Sequence, residues 1–177
     1  NLVLTTLGHR GDAGTLANWL SNKRPVTILD IRPIVEREEW SIPGSVHADV
    51  YEKLKENDQR ALDGLKLEEH VPVVTVCAGG KTSLKAAEIL KQKGYDVYSL
   101  DGGMRAWNFA WNMAEITIHD VKIIQIRRSA KGCLSYMIGS EGEAIVIDAS
   151  LDPQVYLDLA KTNGWSIKYV NDTHIHA

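Results

Sequence analysis

The sequence predicts an α/β protein, a parallel sheet with helices on both faces, followed by a β meander that carries one helix. Three observations predict it. Short β-branched runs alternate with helical stretches from Thr15 to Trp111. One of those runs, Val73-Val74-Thr75-Val76, ends in Cys77 and a small-residue loop that opens a helix. After Asn112 the strands follow one another directly. Strands alternating with helices imply a parallel sheet covered on both faces. In such sheets the ligand site lies beyond the carboxyl ends of the strands.

The elements are predicted in order. Thr15 to Leu20 reads as a short amphipathic helix, with Leu16, Trp19 and Leu20 on one side, broken by Asn22 to Pro25. Val26 to Asp30 is a buried strand ending in a carboxylate, and Val35 to Trp40 a second short helix. Ser45 to Ala48 is a short strand leading into a helix-prone stretch from Tyr51 to Leu67. After the strand that ends at Cys77, a helix runs from about Thr82 to Lys93, stopped by Gly94. Tyr95 to Leu100 is a further strand. Met104 to Trp111 is a closing helix, with Trp107 and Trp111 four residues apart. The domain boundary is placed near 113–119. Beyond it come strands at Val121 to Ile126, Cys133 to Ile138 and Ala144 to Asp148. A helix from Gln154 to Thr162 and a strand from Ile167 to Val170 complete the pattern.

Composition narrows the function classes. With 44% hydrophobic and 24% charged residues, the chain has the material for a sizeable core. A net charge of −3 and no long basic run give no footprint for nucleic acid. No apolar stretch approaches the roughly 20 residues that span a bilayer, and no signal peptide is visible, so no membrane partner is expected. Two cysteines, Cys77 and Cys133, make no disulfide framework and fit a reducing, cytoplasmic setting.

Cys77 is the candidate nucleophile. A cysteine reacts as its thiolate, which a helix N-terminus favours. Backbone N–H groups of the loop Ala78, Gly79, Gly80, Lys81, Thr82 and Ser83 can form a nest for an anion. Gly79 and Gly80 are expected to supply the curvature through positive φ. Lys81 would attract an anionic donor. Asp30 and Arg32 are expected to support the loop, through a charge pair or by accepting loop N–H groups. Cys133 is read as a structural mid-strand thiol, and Trp40, Trp107 and Trp111 as core or interface residues.

Four segments in this order carry a resemblance: Asp30-Ile31-Arg32, then Trp40-Ser41-Ile42-Pro43-Gly44-Ser45-Val46-His47, then the Cys77 to Ser83 loop, then Asp101-Gly102-Gly103-Met104-Arg105-Ala106-Trp107. Together they resemble the rhodanese (sulfurtransferase) family over residues 13–112. The resemblance implies sulfane-sulfur transfer through a persulfide on Cys77, with no cofactor. The partners it implies are a small donor (thiosulfate, glutathione persulfide or protein persulfide) and a thiol acceptor. Many active members carry an arginine in this loop, where this chain has Lys81 and Thr82. Lysine lacks arginine's bidentate fork, so a persulfide is expected to be a better donor than thiosulfate. One alternative is a catalytically silent binding or regulatory module. A cysteine phosphatase or arsenate reductase is less favoured, because Ser83 stands where their loops place arginine.

Thr173-His174-Ile175-His176 resembles the start of the metallo-β-lactamase-fold motif, after a β meander of the kind that opens that fold, over residues 117–177. The pairing with a rhodanese region resembles persulfide dioxygenase-like and glyoxalase-II-like fusions. His174 and His176 would be metal ligands only alongside the motif's aspartate and further histidine, which these 177 residues do not contain. Zn or Fe is therefore expected only in a complete C-terminal domain, since a catalytic site needs three protein ligands. A partial domain would leave an apolar sheet face uncovered, through which a homo-oligomer could form.

Overall fold

The computed structural model describes residues 10–128 and 131–174. It divides into two compact units, Asn1–Asn108 and Phe109–Ala177. The first begins with a two-residue strand, β1 (Arg10–Gly11), and helix α1 (Ala13–Ser21). Asp12 caps α1, its carboxylate accepting from the Thr15 N–H at 2.8 Å and the Thr15 hydroxyl at 2.6 Å. Then come β2 (Thr27–Asp30), α2 (Ile34–Glu39), β3 (Val46–His47) and α3 (Tyr51–Lys55). Next are β4 (Val73–Val76), α4 (Thr82–Gln92), β5 (Val97–Leu100) and α5 (Gly103–Trp107).

The strands form one parallel sheet in the order β1-β5-β4-β2-β3. The two-residue alternation of a strand sends its side chains to both faces, and both are covered. Leu29, Val73 and Val97 face the core beneath α3 and α4, among Leu54, Ala86 and Leu90. On the other face Trp19 of α1 meets the Tyr98 ring edge-on, with centroids 6.1 Å apart. β4 lies mid-sheet and is buried throughout, which is why its four residues are all β-branched.

The second unit is an antiparallel meander of β6 (Trp111–Ile118), β7 (Val121–Arg128), β8 (Cys133–Ser140) and β9 (Glu143–Ile147). Helix α6 (Pro153–Thr162) then crosses over, and β10 (Ser166–Asn171) pairs parallel to β9. Ile124, Ile126, Met137 and Val146 pack with Tyr156 and Ala160 of α6. Ile123, Ile138 and Ile145, on the opposite face, are only half-buried.

Several elements differ from the sequence reading. The helix-prone stretch to Leu67 is helical only to Lys55, because Asn57 takes a left-handed φ of 65° and the chain turns. The closing helix stops at Trp107. Trp111 begins β6, which pairs along its whole length with β7, so 113–119, read as a boundary, lies largely within a strand. Cys133 opens β8 and is half-exposed rather than a packed mid-strand residue. Among the described residues no helix is long and apolar enough to cross a membrane.

Candidate active site

Cys77 leaves the carboxyl end of β4, and the loop 78–81 carries the chain to α4. The thiol is buried, with 2% of the residue exposed. Its Sγ accepts the Gly80 N–H at 3.1 Å and lies 3.3 Å from the Ser83 hydroxyl oxygen. Ser83 Oγ also accepts a hydrogen bond from the Ser99 hydroxyl at 2.8 Å. The Thr75 hydroxyl donates to the Ser83 carbonyl at 2.7 Å, which ties the first turn of α4 to β4. Thr75, Ser83 and Ser99 are completely buried. A buried thiol thus rests on one hydroxyl, itself held by Ser99, and one aimed backbone N–H.

Two glycines make this geometry. Gly80 has a φ of 80°, in the left-handed region, and a Cβ there would lie 2.7 Å from the Gly102 nitrogen. Gly103, with a φ of 55°, lets the start of α5 press against the loop, because a Cβ there would overlap the Cys77 carbonyl oxygen. That approach is held by two hydrogen bonds, from Met104 N to Cys77 O at 2.9 Å and from Arg105 N to Ala78 O at 3.1 Å. Gly79 has an ordinary φ and open space around it, so of the two glycines the sequence reading named, Gly80 alone requires glycine's freedom. Ala78 and Thr82 are half-buried, whereas Gly79 and Lys81 are exposed at the loop's outer side.

Asp30 and Arg32 act elsewhere than expected. The Asp30 carboxylate takes Arg32 bidentately, from Nη2 at 2.7 Å and Nε at 3.0 Å, with both residues at most 2% exposed. The guanidinium then donates to the carbonyls of Glu36 at 3.2 Å and Trp40 at 2.8 Å. The pair therefore shapes the segment after β2, and its hydrogen bonds go to residues 36–40 rather than to the cysteine loop. His47 lies at hydrogen-bond distance, 2.8 Å, from the Arg32 carbonyl.

In the second unit, Asp148 accepts from the Thr173 N–H and hydroxyl, both at 2.7 Å, and lies 3.8 Å from His174 Nδ1. His176 lies outside the described residues. Among the described residues, no group of three or more His, Cys, Asp or Glu could hold a metal ion.

Comparison with known proteins places the first unit in a family. The rhodanese-like domain model matches residues 12–110, and the chain belongs to that family. It is 35% identical over 94 residues to the thiosulfate sulfurtransferase GlpE of Pseudoalteromonas translucida, covering 52% of this chain and 83% of that protein. It is 36% identical over 83 residues to the putative sulfur carrier protein YrkF of Bacillus subtilis, covering 46% of this chain and 41% of that protein. Among solved structures, a rhodanese-related protein from Thermoplasma volcanium aligns with 27% identity and a TM-score of 0.43, over 56% of this chain and 89% of that one. Rhodanese-like domains need no cofactor. Sequence reasoning reached the cysteine loop but missed Thr75, two residues back on β4, and Ser99 on the adjacent β5, whose hydroxyls no local motif marks.

Proposed function

We propose that the chain is a sulfurtransferase that carries sulfane sulfur as a persulfide on Cys77. The observation that carries this reading is the Cys77 Sγ held by the Gly80 N–H and beside the Ser83 hydroxyl at the mouth of α4. The relatives named as a thiosulfate sulfurtransferase and a sulfur carrier support it. In the loading step the Cys77 thiolate attacks the outer sulfur of thiosulfate or of a thiol persulfide. The new S–S bond forms as the old one breaks, and sulfite or a thiolate leaves with the electron pair. The bound persulfide keeps one negative charge, which the loop's N–H groups and hydroxyls stabilise without a metal. An acceptor thiolate then attacks the outer sulfur, takes it as a new persulfide and releases the Cys77 thiolate.

The donor follows from the loop's charge. Lys81 presents a point charge and no bidentate fork, so a low-molecular-weight persulfide serves better than thiosulfate. Steady-state assays of sulfite release from thiosulfate and of glutathione release from glutathione persulfide test both points. The persulfide should give the higher kcat/KM, and Cys77→Ser should abolish both reactions. Equal turnover of the two donors contradicts the donor assignment. Activity retained in Cys77→Ser contradicts the mechanism.

The second unit is proposed as the N-terminal portion of a metallo-β-lactamase-fold domain. The meander, the parallel β10 and the Asp148–Thr173–His174 cluster at the end of that strand support it. On this reading the persulfide formed on Cys77 supplies a second active site in a longer protein. Metal analysis of a chain extended past Ala177 tests it. An aspartate and a histidine in register, with bound Zn or Fe, fit the proposal, and their absence refutes it.

A further inference from the structure

We propose that Ser99 is a positioning residue for the nucleophile, acting through Ser83 to turn a hydroxyl proton toward the Cys77 sulfur. The inference rests on the reading of Cys77 as the nucleophile. A serine hydroxyl has one proton and two acceptor lone pairs. Ser83 Oγ already accepts the Ser99 proton at 2.8 Å, and its one remaining neighbour in this chain of contacts is Cys77 Sγ at 3.3 Å. Because Ser99 supplies the proton of that bond, Ser83 keeps its own proton to give, and the group it meets is the sulfur; one Ser83 lone pair stays open to a thiol proton. A thiolate accepts that proton, whereas a thiol would compete with it by offering its own. The Ser99-to-Ser83 bond polarises the Ser83 hydroxyl and strengthens its donation to a charged sulfur more than to a neutral one, so it favours the thiolate and, in the loaded enzyme, a sulfur atom that carries negative charge.

The fold supports this direction of action. Ser99 stands opposite Thr75 in the β4–β5 register, so both hydroxyls lie on the face beneath α4. Thr75 fixes the Ser83 backbone by its 2.7 Å bond to the carbonyl, while Ser99 sets the Ser83 side chain. Burial of all three removes water that would otherwise take either role. Ser99 reaches the sulfur only through Ser83, and that gives its test.

The test is the pH dependence of Cys77 alkylation by iodoacetamide in the full chain, in a Cys133→Ser background so that one thiol reports. Ser99→Ala should move the midpoint of the rate profile up by about 0.5 to 1 pH, the range expected for one lost hydrogen bond. The high-pH plateau should not fall. Ser83→Ala should move the midpoint at least as far, and adding Ser99→Ala to it should move it no further. Ser99→Thr, which keeps the hydroxyl, should hold the parent midpoint. An unmoved midpoint in Ser99→Ala overturns the proposal. So does an equal Ser99→Ala shift with and without Ser83, or a Ser99→Thr midpoint as high as that of Ser99→Ala. Alkylation uses no sulfur donor, so a coupled shift in a chain that forms no persulfide would refute the sulfur-transfer reading and leave this one standing.

Discussion

Removing Arg32 should destabilise the first unit far more than a charged side chain ordinarily does. Asp30 is fully buried and Arg32 is 2% exposed. The Asp30 carboxylate accepts from Arg32 Nη2 at 2.7 Å, from Nε at 3.0 Å and from the Arg32 backbone N–H at 3.1 Å. Among the described residues, the Arg32→Ala variant leaves the buried carboxylate with Arg37, at 3.6 Å, as its remaining ion-pair partner. It also strips the Glu36 and Trp40 carbonyls of a donor. Breaking a buried pair on one side costs about 3–5 kcal/mol. With a urea m-value of about 1–3 kcal/mol/M, the midpoint should fall by at least ~1 M. The assay is urea unfolding read by hydrogen exchange of peptides from β2 and β4, which report this unit alone. The Asp30→Asn/Arg32→Met double variant should lose less than Arg32→Ala, because no charge is then stranded. A loss in Arg32→Ala below about 1 kcal/mol, the level of an exposed pair, would refute the reasoning.

Other outcomes follow from the same geometry. Gly80→Ala should cost about 1–2 kcal/mol for an L residue at a left-handed φ. Its Cβ, 2.7 Å from the Gly102 nitrogen, should also shift the Gly80 N–H off Cys77 Sγ, so iodoacetamide should label Cys77 more slowly at neutral pH. Asp12→Ala should lose about 1 kcal/mol of thermal stability with the α1 cap, whereas Asp12→Asn should lose less. Partial burial raises the Asp12 carboxyl, but the hydrogen bonds from the Thr15 hydroxyl and backbone N–H outweigh it, leaving it below its ordinary value of 3.8. Because the folded value is the lower one, Asp12 stabilises the fold above its unfolded value and loses that contribution as pH falls through the folded one. Thermal melts from pH 6 to pH 2 should therefore show the wild-type advantage over Asp12→Ala shrinking at the acid end.

The cysteine site was legible in the sequence because its signals are local. A run of β-branched residues, a small-residue loop and an apolar helical period sit side by side from Val73 to Leu90, and each agrees with the next. Errors arose where tertiary pairing overrode a local pattern. Trp107 and Trp111 are spaced like one helix face, yet Trp111 pairs with Arg128 across the open end of the β6–β7 hairpin, beyond the reach of a helical period. The two-residue β1 has no periodicity to detect and exists through its register with Ser99 and Leu100. The Asp30–Arg32 pair was visible as two charges, but its carbonyl targets at Glu36 and Trp40 depend on how the chain bends after β2. Ser99 was invisible for a related reason. A serine in a strand is unremarkable until the fold sets it 2.8 Å from another hydroxyl, which itself lies beside Cys77 Sγ.

The most direct test of sulfur transfer at Cys77 is mass spectrometry of the chain after incubation with glutathione persulfide, followed by peptide mapping. The account predicts one added sulfur on the peptide that holds Cys77, removed by a thiol acceptor and absent from Cys77→Ser. A chain that gains no sulfur, or gains it on Cys133 alone, would contradict the account.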